Sequence, residues 1–348
     1  MLTVEELVKI ASDTNASDIH LVCSLPPKGR RSGALENLDE TPLTPEDCEE
    51  YAHELCGRRF GDLMEVGEVD ASASIAGRRL RIHVFLQQGV PSAALRLLSE
   101  KIPALESLGL PPAVLKLPSM HKGIVLVTGE TGSGKSTTLA AMLDNINHSR
   151  ADHIVTLEDP IEYVYHPDRC VINQREVGRD TKSFSAGLRA SLREDPNVIL
   201  IGEMRDRDTI ETAITAAETG HLVFGTLHTG SAADAVDRMV QVFPGEMQNQ
   251  IRLQLSMCLQ AVITQQLLPK RGGGRALASE LLVVTDAVRN LIRSGNTPQI
   301  VNAIATSASI GGQTMDQSLV QLVRTGLIAR ETAMRFAHDM NYVKKYAM

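Results

Sequence analysis

Lys135 and Ser136 close the stretch Gly129-Glu130-Thr131-Gly132-Ser133-Gly134-Lys135-Ser136, which fits the spacing G-x-x-x-x-G-K-[ST]. An amine and a hydroxyl at the end of a glycine-rich turn suit one chemistry above others, the grip of a polyphosphate. Glycines let backbone N–H groups close around phosphate oxygens, and a helix start adds partial positive charge. In such a turn Lys135 reaches the outer phosphates and the Ser136 hydroxyl holds Mg²⁺. The flanks agree: residues 123–128 read as a buried strand, and a helical pattern follows to residue 147. A chance glycine-rich turn is the competing reading, and it does not account for both flanks. The expected ligand is a nucleoside triphosphate.

Three further apolar runs end in reactive groups. Residues 154–157 run into Glu158-Asp159-Pro160, residues 198–201 into Gly202-Glu203, and residues 222–227 into His228. In an open parallel sheet, ligands gather at the carboxyl ends of the strands. Two acidic strand ends beside a phosphate loop are what Mg²⁺ and an attacking water need. Gly202 stands where the usual metal-binding Asp would be, so Glu203 is placed as the base that activates water. The competing reading pairs Glu203 with Arg205 or Arg207. One of Glu158 and Asp159 serves Mg²⁺ through water, while the other caps the following turn. His228 senses the terminal phosphate, or bridges to Glu203, or is structural, and His221 should lie at the far end of the same strand. Arg78, Arg79, Arg81 and Arg96 form either a solvated basic edge or a phosphate clamp reaching across a domain or subunit joint. The planar fork of guanidinium explains why a clamp would use Arg rather than Lys.

The elements that must position these groups can be traced along the 348 residues. Residues 1–98 read as an α+β domain, with helices at 4–11 and 45–55, a strand at 18–22, and a hairpin of 69–75 and 79–86 around Ala76-Gly77. Between them Pro26, Pro27, Gly29 and Gly33 break the chain in a basic loop. A proline-rich linker over 99–120 suits two domains that change relative orientation. From 121 to 348, strands at 123–128, 153–158, 197–202 and 221–227 alternate with helices at 135–147, 183–194, 206–219 and 231–241. Such alternation implies a parallel sheet with crossover helices. Residues 262–268 and 276–284 flank Arg271-Gly272-Gly273-Gly274 as an antiparallel hairpin, and the remainder is helical.

Composition narrows the function. A hydrophobic share of 43% supplies ample core for two domains. A net charge of −7 and the absence of tryptophan speak against a nucleic-acid coat, so no nucleic-acid partner is expected. No apolar run reaches membrane-spanning length and the first residues lack a signal pattern, so a cytoplasmic location is expected. The five cysteines, none in C-x-x-C, are read as free thiols.

Assembled, these motifs resemble the type IV pilus retraction ATPases, the PilT-type branch of the secretion ATPase superfamily. Gly129 to Thr137 matches the family's phosphate loop, and Leu157-Glu158-Asp159-Pro160-Ile161-Glu162 its aspartate box. The run from Leu192 to Asp206 matches its Walker B region, and the run from Thr219 to Thr229 its histidine box. The resemblance implies a RecA-like ATPase domain and a smaller PAS-like first domain, in which Ala16-Ser17-Asp18-Ile19-His20-Leu21 matches the opening strand. It also implies a Mg²⁺-dependent ATP hydrolase, a homohexamer with ATP between subunits, Glu203 as catalytic glutamate, and Arg81 and Arg96 on the nucleotide phosphates. Implied partners are an inner-membrane pilus platform protein and other pilus motor ATPases, with the ring peripheral to the inner face of the cytoplasmic membrane. Relatives that extend pili or drive secretion usually carry a longer N-terminal region and a four-cysteine zinc insert, a pattern not read here. Ala287-Val288-Arg289-Asn290-Leu291-Ile292 is similar to the helix motif of retraction members. Extension, type II secretion and competence motors remain the alternative within the family, and a ring-shaped nucleic-acid translocase the alternative outside it. One departure stands out: after Pro26-Pro27 the family continues into an apolar strand with an Arg-x-x-Gly turn, whereas this chain has Lys28-Gly29-Arg30-Arg31-Ser32-Gly33.

Overall fold

Val4–Asp13 (α1) begins behind a reciprocal cap: Thr3 Oγ1 accepts from the Glu6 N–H, and the Glu6 carboxylate accepts from the Thr3 N–H. The computed structural model describes residues 1–31, 33–98 and 101–347. These divide into two units, one of Met1–Lys101 with Pro160–Val164, the other of Ile102–Asp159 with Tyr165–Met348. Residues 99 and 100, where the linker was expected to begin, lie outside the described residues, as do Ser32 of the basic stretch and residue 348.

In the first unit the elements after α1 are Asp18–Leu21 (β1), Lys28–Arg31 (β2), Ala34–Asn37 (β3), Pro45–Cys56 (α2), Phe60–Val66 (α3), Glu68–Ile75 (β4), Arg78–Gln87 (β5) and Val90–Leu97 (β6). They form one antiparallel sheet in the order β3-β2-β1-β6-β5-β4. Leu7, Ile19, Tyr51, Leu80, Ile82 and Leu95 fill its core, each almost fully buried. Ala76 and Gly77, at φ 52° and 77°, make the two-residue turn between β4 and β5, a pair of left-handed residues that matches the twist of a hairpin. The basic loop expected after Pro27 is instead a hairpin, β2 and β3, added to the sheet through β1. Its side chains show no apolar alternation, and β3 is exposed along its whole length, so backbone pairing rather than burial sets it. Gly29 permits the approach: a Cβ there would meet Leu38 Cδ2 at 2.7 Å.

The second unit opens with two short 3₁₀ turns, Leu105–Leu108 and Pro112–Ser119, whose Leu105, Val114 and Leu117 are buried. Then follow Gly123–Thr128 (β7), Lys135–Ser149 (α4), His153–Glu158 (β8), Val171–Glu176 (β9), Phe184–Ser191 (α5), Val198–Ile201 (β10), Arg207–Glu218 (α6), Leu222–Leu227 (β11), Ala232–Gln241 (α7), Gly245–Cys258 (α8), Leu259–Pro269 (β12) and Arg275–Val283 (β13). The helices Asp286–Ser294 (α9), Ile300–Ala305 (α10), Met315–Arg324 (α11), Arg330–Phe336 (α12) and Met340–Tyr346 (α13) complete it. The sheet runs β13-β12-β7-β11-β10-β8-β9, parallel except for the β12–β13 hairpin. The α/β class expected from the alternation is therefore the observed one. β7, β10 and β11 are buried at every residue, as strands covered on both faces must be, and their carboxyl ends share one edge of the sheet.

Candidate functional site

β7 delivers the phosphate loop. Gly129, Gly132 and Gly134 have φ of 138°, 80° and 94°, left-handed values that glycine tolerates best. Gly129 is also a point of close approach, since a Cβ there would lie 2.4 Å from the Gln265 carbonyl oxygen and 2.6 Å from Ser133 Oγ. Gly134 caps α4, so the first N–H groups of that helix face the loop. The Lys135 ammonium is buried and donates to the carbonyls of Gly129 and Glu130 at 2.8 and 2.9 Å. Glu130, Thr131, Gly132 and Ser136 are exposed and Thr137 is half-buried, so the loop presents its backbone outward. Ser133 Oγ is buried with no hydrogen-bond partner among the described residues. Behind the loop, Thr128 Oγ1 and Thr264 Oγ1 are 2.9 Å apart, and Gln265 Nε2 donates to Thr138 Oγ1 at 2.7 Å, pinning β7 and α4 to β12.

The neighbouring strand ends bring four more groups together. Glu203 follows β10 and His228 follows β11; His228 Nε2 is 3.2 Å from Glu203 Oε1. The same carboxylate oxygen takes the Arg205 Nε–H, so the ion pair named as the competing reading of Glu203 is present alongside the histidine contact. Partial burial, followed by the nearby Lys135 charge, holds His228 below the usual imidazole range, against the opposing pull of Glu203. Glu203 raises the Arg205 guanidinium above its ordinary value, with Asp159 adding a smaller contribution.

Gly202 leaves little room for an aspartate. A Cβ there would come within 3.1 Å of the Leu157 carbonyl oxygen and 3.3 Å of Glu158 Cα, so the end of β8 would have to give by a few tenths of an ångström. Glu158 accepts from Thr156 Oγ1 at 2.6 Å and from Gln174 Nε2 at 3.2 Å, while Asp159 is exposed. Thr156 and Gln174 are directly opposite in the β8–β9 register and went unnoticed in the sequence. The period of two that puts Thr156 and Glu158 on one face was the available signal for the first, and nothing local marks the second. His221 is set apart from this cluster. Its ring nitrogen lies 2.8 Å from the Ala216 carbonyl at the end of α6.

Among the described residues, no three His, Cys, Asp or Glu side chains converge to hold a metal ion. Mg²⁺ keeps several waters and takes one or two protein ligands beside phosphate oxygens. The Ser136 hydroxyl with Glu158 or Asp159 fits such a set.

A cavity of about 790 Å³ abuts the loop's helix, lined by Gly134 and Thr137 on one side and by Leu108, Pro111, Leu267 and Arg275 on others. Its size, and a wall that mixes apolar with polar groups, suit a heterocycle with its sugar. The 3₁₀ segment around Leu108 was read only as linker, and its part in a cavity left no motif in the sequence.

Arg81 and Arg96 belong to the first unit. They are direct cross-strand partners on β5 and β6, and Arg96 Nε donates to Asp18 Oδ1 at 2.9 Å. Like charges directly opposite repel. Asp18 offsets this on one side only, and Arg30 stands opposite Asp18 in turn. Arg79, by contrast, is engaged structurally with Ser72 Oγ and the Ile161 carbonyl.

A glycine loop feeding a helix, with a glutamate and a histidine at adjacent parallel strand ends, defines a P-loop nucleoside triphosphatase. The family described as Type II/IV secretion system protein matches residues 79–272. The chain is 46% identical over 334 residues to the type IV pilus retraction ATPase PilT of Pseudomonas aeruginosa, covering 95% of this chain and 97% of that protein. It is 50% identical over 274 residues to a twitching motility protein of Neisseria gonorrhoeae, covering 78% of this chain and 73% of that one. A crystal structure described as the pilus retraction motor PilT with bound ADP superposes with a TM-score of 0.93 at 48% identity, covering 99% of this chain and all of the other. The chain belongs to the Type II/IV secretion system protein family and, within it, to the PilT-type pilus retraction ATPases.

Proposed function

We propose that the protein is the ATP-hydrolysing subunit of a motor that retracts type IV pili. The observation that carries this reading is the meeting of Glu203 and His228 at neighbouring strand ends, with the Lys135 charge close enough to act on the histidine. In the proposed mechanism the N–H groups of Gly129 to Thr137 cradle the phosphates, and Lys135 balances charge on the outer ones. The cavity beside Thr137 takes the base and ribose. Glu203 accepts the proton of the attacking water, and neutral His228 holds the carboxylate in line for it. Ser136 with Glu158 or Asp159 would hold Mg²⁺, which would supply electrostatic stabilisation of the phosphate oxygens.

The same reading takes six copies to form a ring, with Arg81 and Arg96 reaching the phosphates and losing that anchor when the terminal phosphate departs. The ring acts on a platform protein at the inner face of the cytoplasmic membrane. Among the described residues no helix is long and apolar enough to cross a membrane, which accords with a peripheral place. Deleting the gene and counting surface fibres tests direction. Excess fibres with lost twitching support retraction, and bald cells assign extension instead. Purified protein without Mg²⁺-dependent ATP turnover would overturn the enzymatic part.

A further inference from the structure

Glu280 on β13 is 3% exposed, yet it carries a carboxylate. Burial pushes its carboxyl upward, while the N–H groups of Ala232 and Met315 favour the charged form. A carboxyl group this deep is costly unless it is hydrogen-bonded. Its partners show one. Ala232 N–H, the first residue of α7, donates to Glu280 Oε1 at 2.8 Å. Ala232 lies four residues after His228, so the intervening Thr229-Gly230-Ser231 is pinned at both ends: at β11 by the sheet and at α7 by this carboxylate. Met315 begins α11, and Gln313, two residues before it, exchanges backbone hydrogen bonds of 2.8 and 3.2 Å with Leu281, the neighbour of Glu280. Gln313 and Ser318 also line the 790 Å³ cavity beside the phosphate loop.

A buried row supports the same connection. Leu227 pairs with Thr128, Thr128 with Thr264, and Thr264 with Glu280 across four strands. The residues preceding His228 and Gly129 are thus in register with Glu280, and Thr128 and Thr264 are hydrogen-bonded along the row.

We infer that Glu280 is a positioning residue that joins the cavity-lining Gln313, just ahead of α11, to the loop carrying His228, so that occupancy of the cavity fixes the histidine against Glu203. This rests on the proposed role of His228 and Glu203 in hydrolysis. In this role Glu280 acts through the helix starts it holds.

The test uses the full chain with ATP and Mg²⁺. Glu280→Met removes both acceptors at similar volume. It is expected to lower kcat about tenfold, the scale seen when a supporting residue behind an active group is removed, with the KM for ATP little changed. Glu280→Gln, which keeps one acceptor oxygen and so one of the two holds, is expected to turn over at a rate between wild type and Glu280→Met. On a His228→Ala background, Glu280→Met should cost nothing further, because both act through one group. Equal fractional losses in the two backgrounds, or a loss expressed in KM alone, overturn the proposal. If His228→Ala itself turns over like the wild type, the underlying reading of the site fails. If His228→Ala is slow while Glu280→Met is not, Glu280 alone loses its role. Amide hydrogen exchange supplies a readout without catalysis and serves if Glu280→Met does not fold. In Glu280→Gln, protection at Ala232 or at Met315 should fall, and wild-type protection at both overturns the tether.

Discussion

His228 Nε2 lies 3.2 Å from Glu203 Oε1, the oxygen that also takes the Arg205 N–H. Two groups therefore share one carboxylate oxygen, and in the proposed mechanism hydrolysis depends on which of them holds it. Burial and the Lys135 charge depress the His228 pKa below 6.5, so the ring is neutral at pH 7. The sign follows directly. A folded-state value below the unfolded one gives a stability contribution that is complete above pH 6.5. It is lost as pH falls through the depressed folded value. Turnover in the wild type should hold level from pH 8 to about 6.5 and decline on the acid side, as a neutral imidazole is lost. His228→Asn should be slower throughout and lack the histidine-dependent part of that decline. An unchanged acid limb in the variant counts against this assignment.

Glu203 has two contacts, and two substitutions separate them. Glu203→Gln should cut kcat by about 10² or more, the range for a positioned general base, while nucleotide binding persists. Arg205→Ala, at a side chain 76% exposed, should change kcat by no more than about threefold, because an exposed pair contributes little. The reverse order of effects would make the ion pair, not proton transfer, the reason for Glu203.

Thr156 and Gln174 fix the Glu158 carboxylate. Thr156→Val preserves shape and removes one hydrogen bond. It should raise the Mg²⁺ concentration for half-maximal turnover about tenfold, as loss of a supporting partner commonly does. Metal-free ADP affinity should be unaffected, and a parallel loss there would point to general damage.

Gly129→Ala places a methyl group 2.4 Å from the Gln265 carbonyl at a φ of 138°. Backbone strain of this kind costs about 1–3 kcal/mol. A lowered unfolding midpoint together with lost nucleotide binding is expected. Gly132→Ala, with nothing within 4 Å of the added carbon, should be the milder change by both measures.

Arg81 and Arg96 face each other across β5 and β6, with Asp18 offsetting one of them. An anion would relieve that repulsion, which is the physical case for a clamp. Arg81→Ala or Arg96→Ala should reduce kcat by a larger factor than it weakens ATP binding, and a clamp arginine can contribute about 10³-fold or more. Lysine should not rescue either position, since it lacks the planar fork. Turnover equal to wild type in both alanine variants would return these residues to the solvated-edge reading.

The site was legible where chemistry is local. The spacing from Gly129 to Ser136, and the acidic and imidazole residues ending apolar runs, named Lys135, Glu203, Glu158 and His228 before any coordinates. Buried parallel strands announce themselves by unbroken apolar runs, so β7, β10 and β11 were readable. What escaped depends on register or on long-range packing. Gln174 matters because it pairs opposite Thr156, and Glu280 because it meets a helix start 48 residues away in sequence. Leu108 and Pro111 look like linker until α4 is beside them. The β2–β3 hairpin was missed for a different reason, since Lys28-Gly29-Arg30-Arg31 carries no alternation of apolar and polar residues and pairs through its backbone and polar side chains such as Lys28 with Asn37.

That hairpin also settles how the first sheet ends. β3 is its outermost strand, four residues long and fully exposed, backed by a strand with three cationic side chains. A short, charged border is a poor template for a foreign strand, so the sheet resists growing into neighbouring molecules. Loss of apolar patterning here doubles as protection against fibril-like stacking, which a crowded assembly of identical chains would otherwise invite.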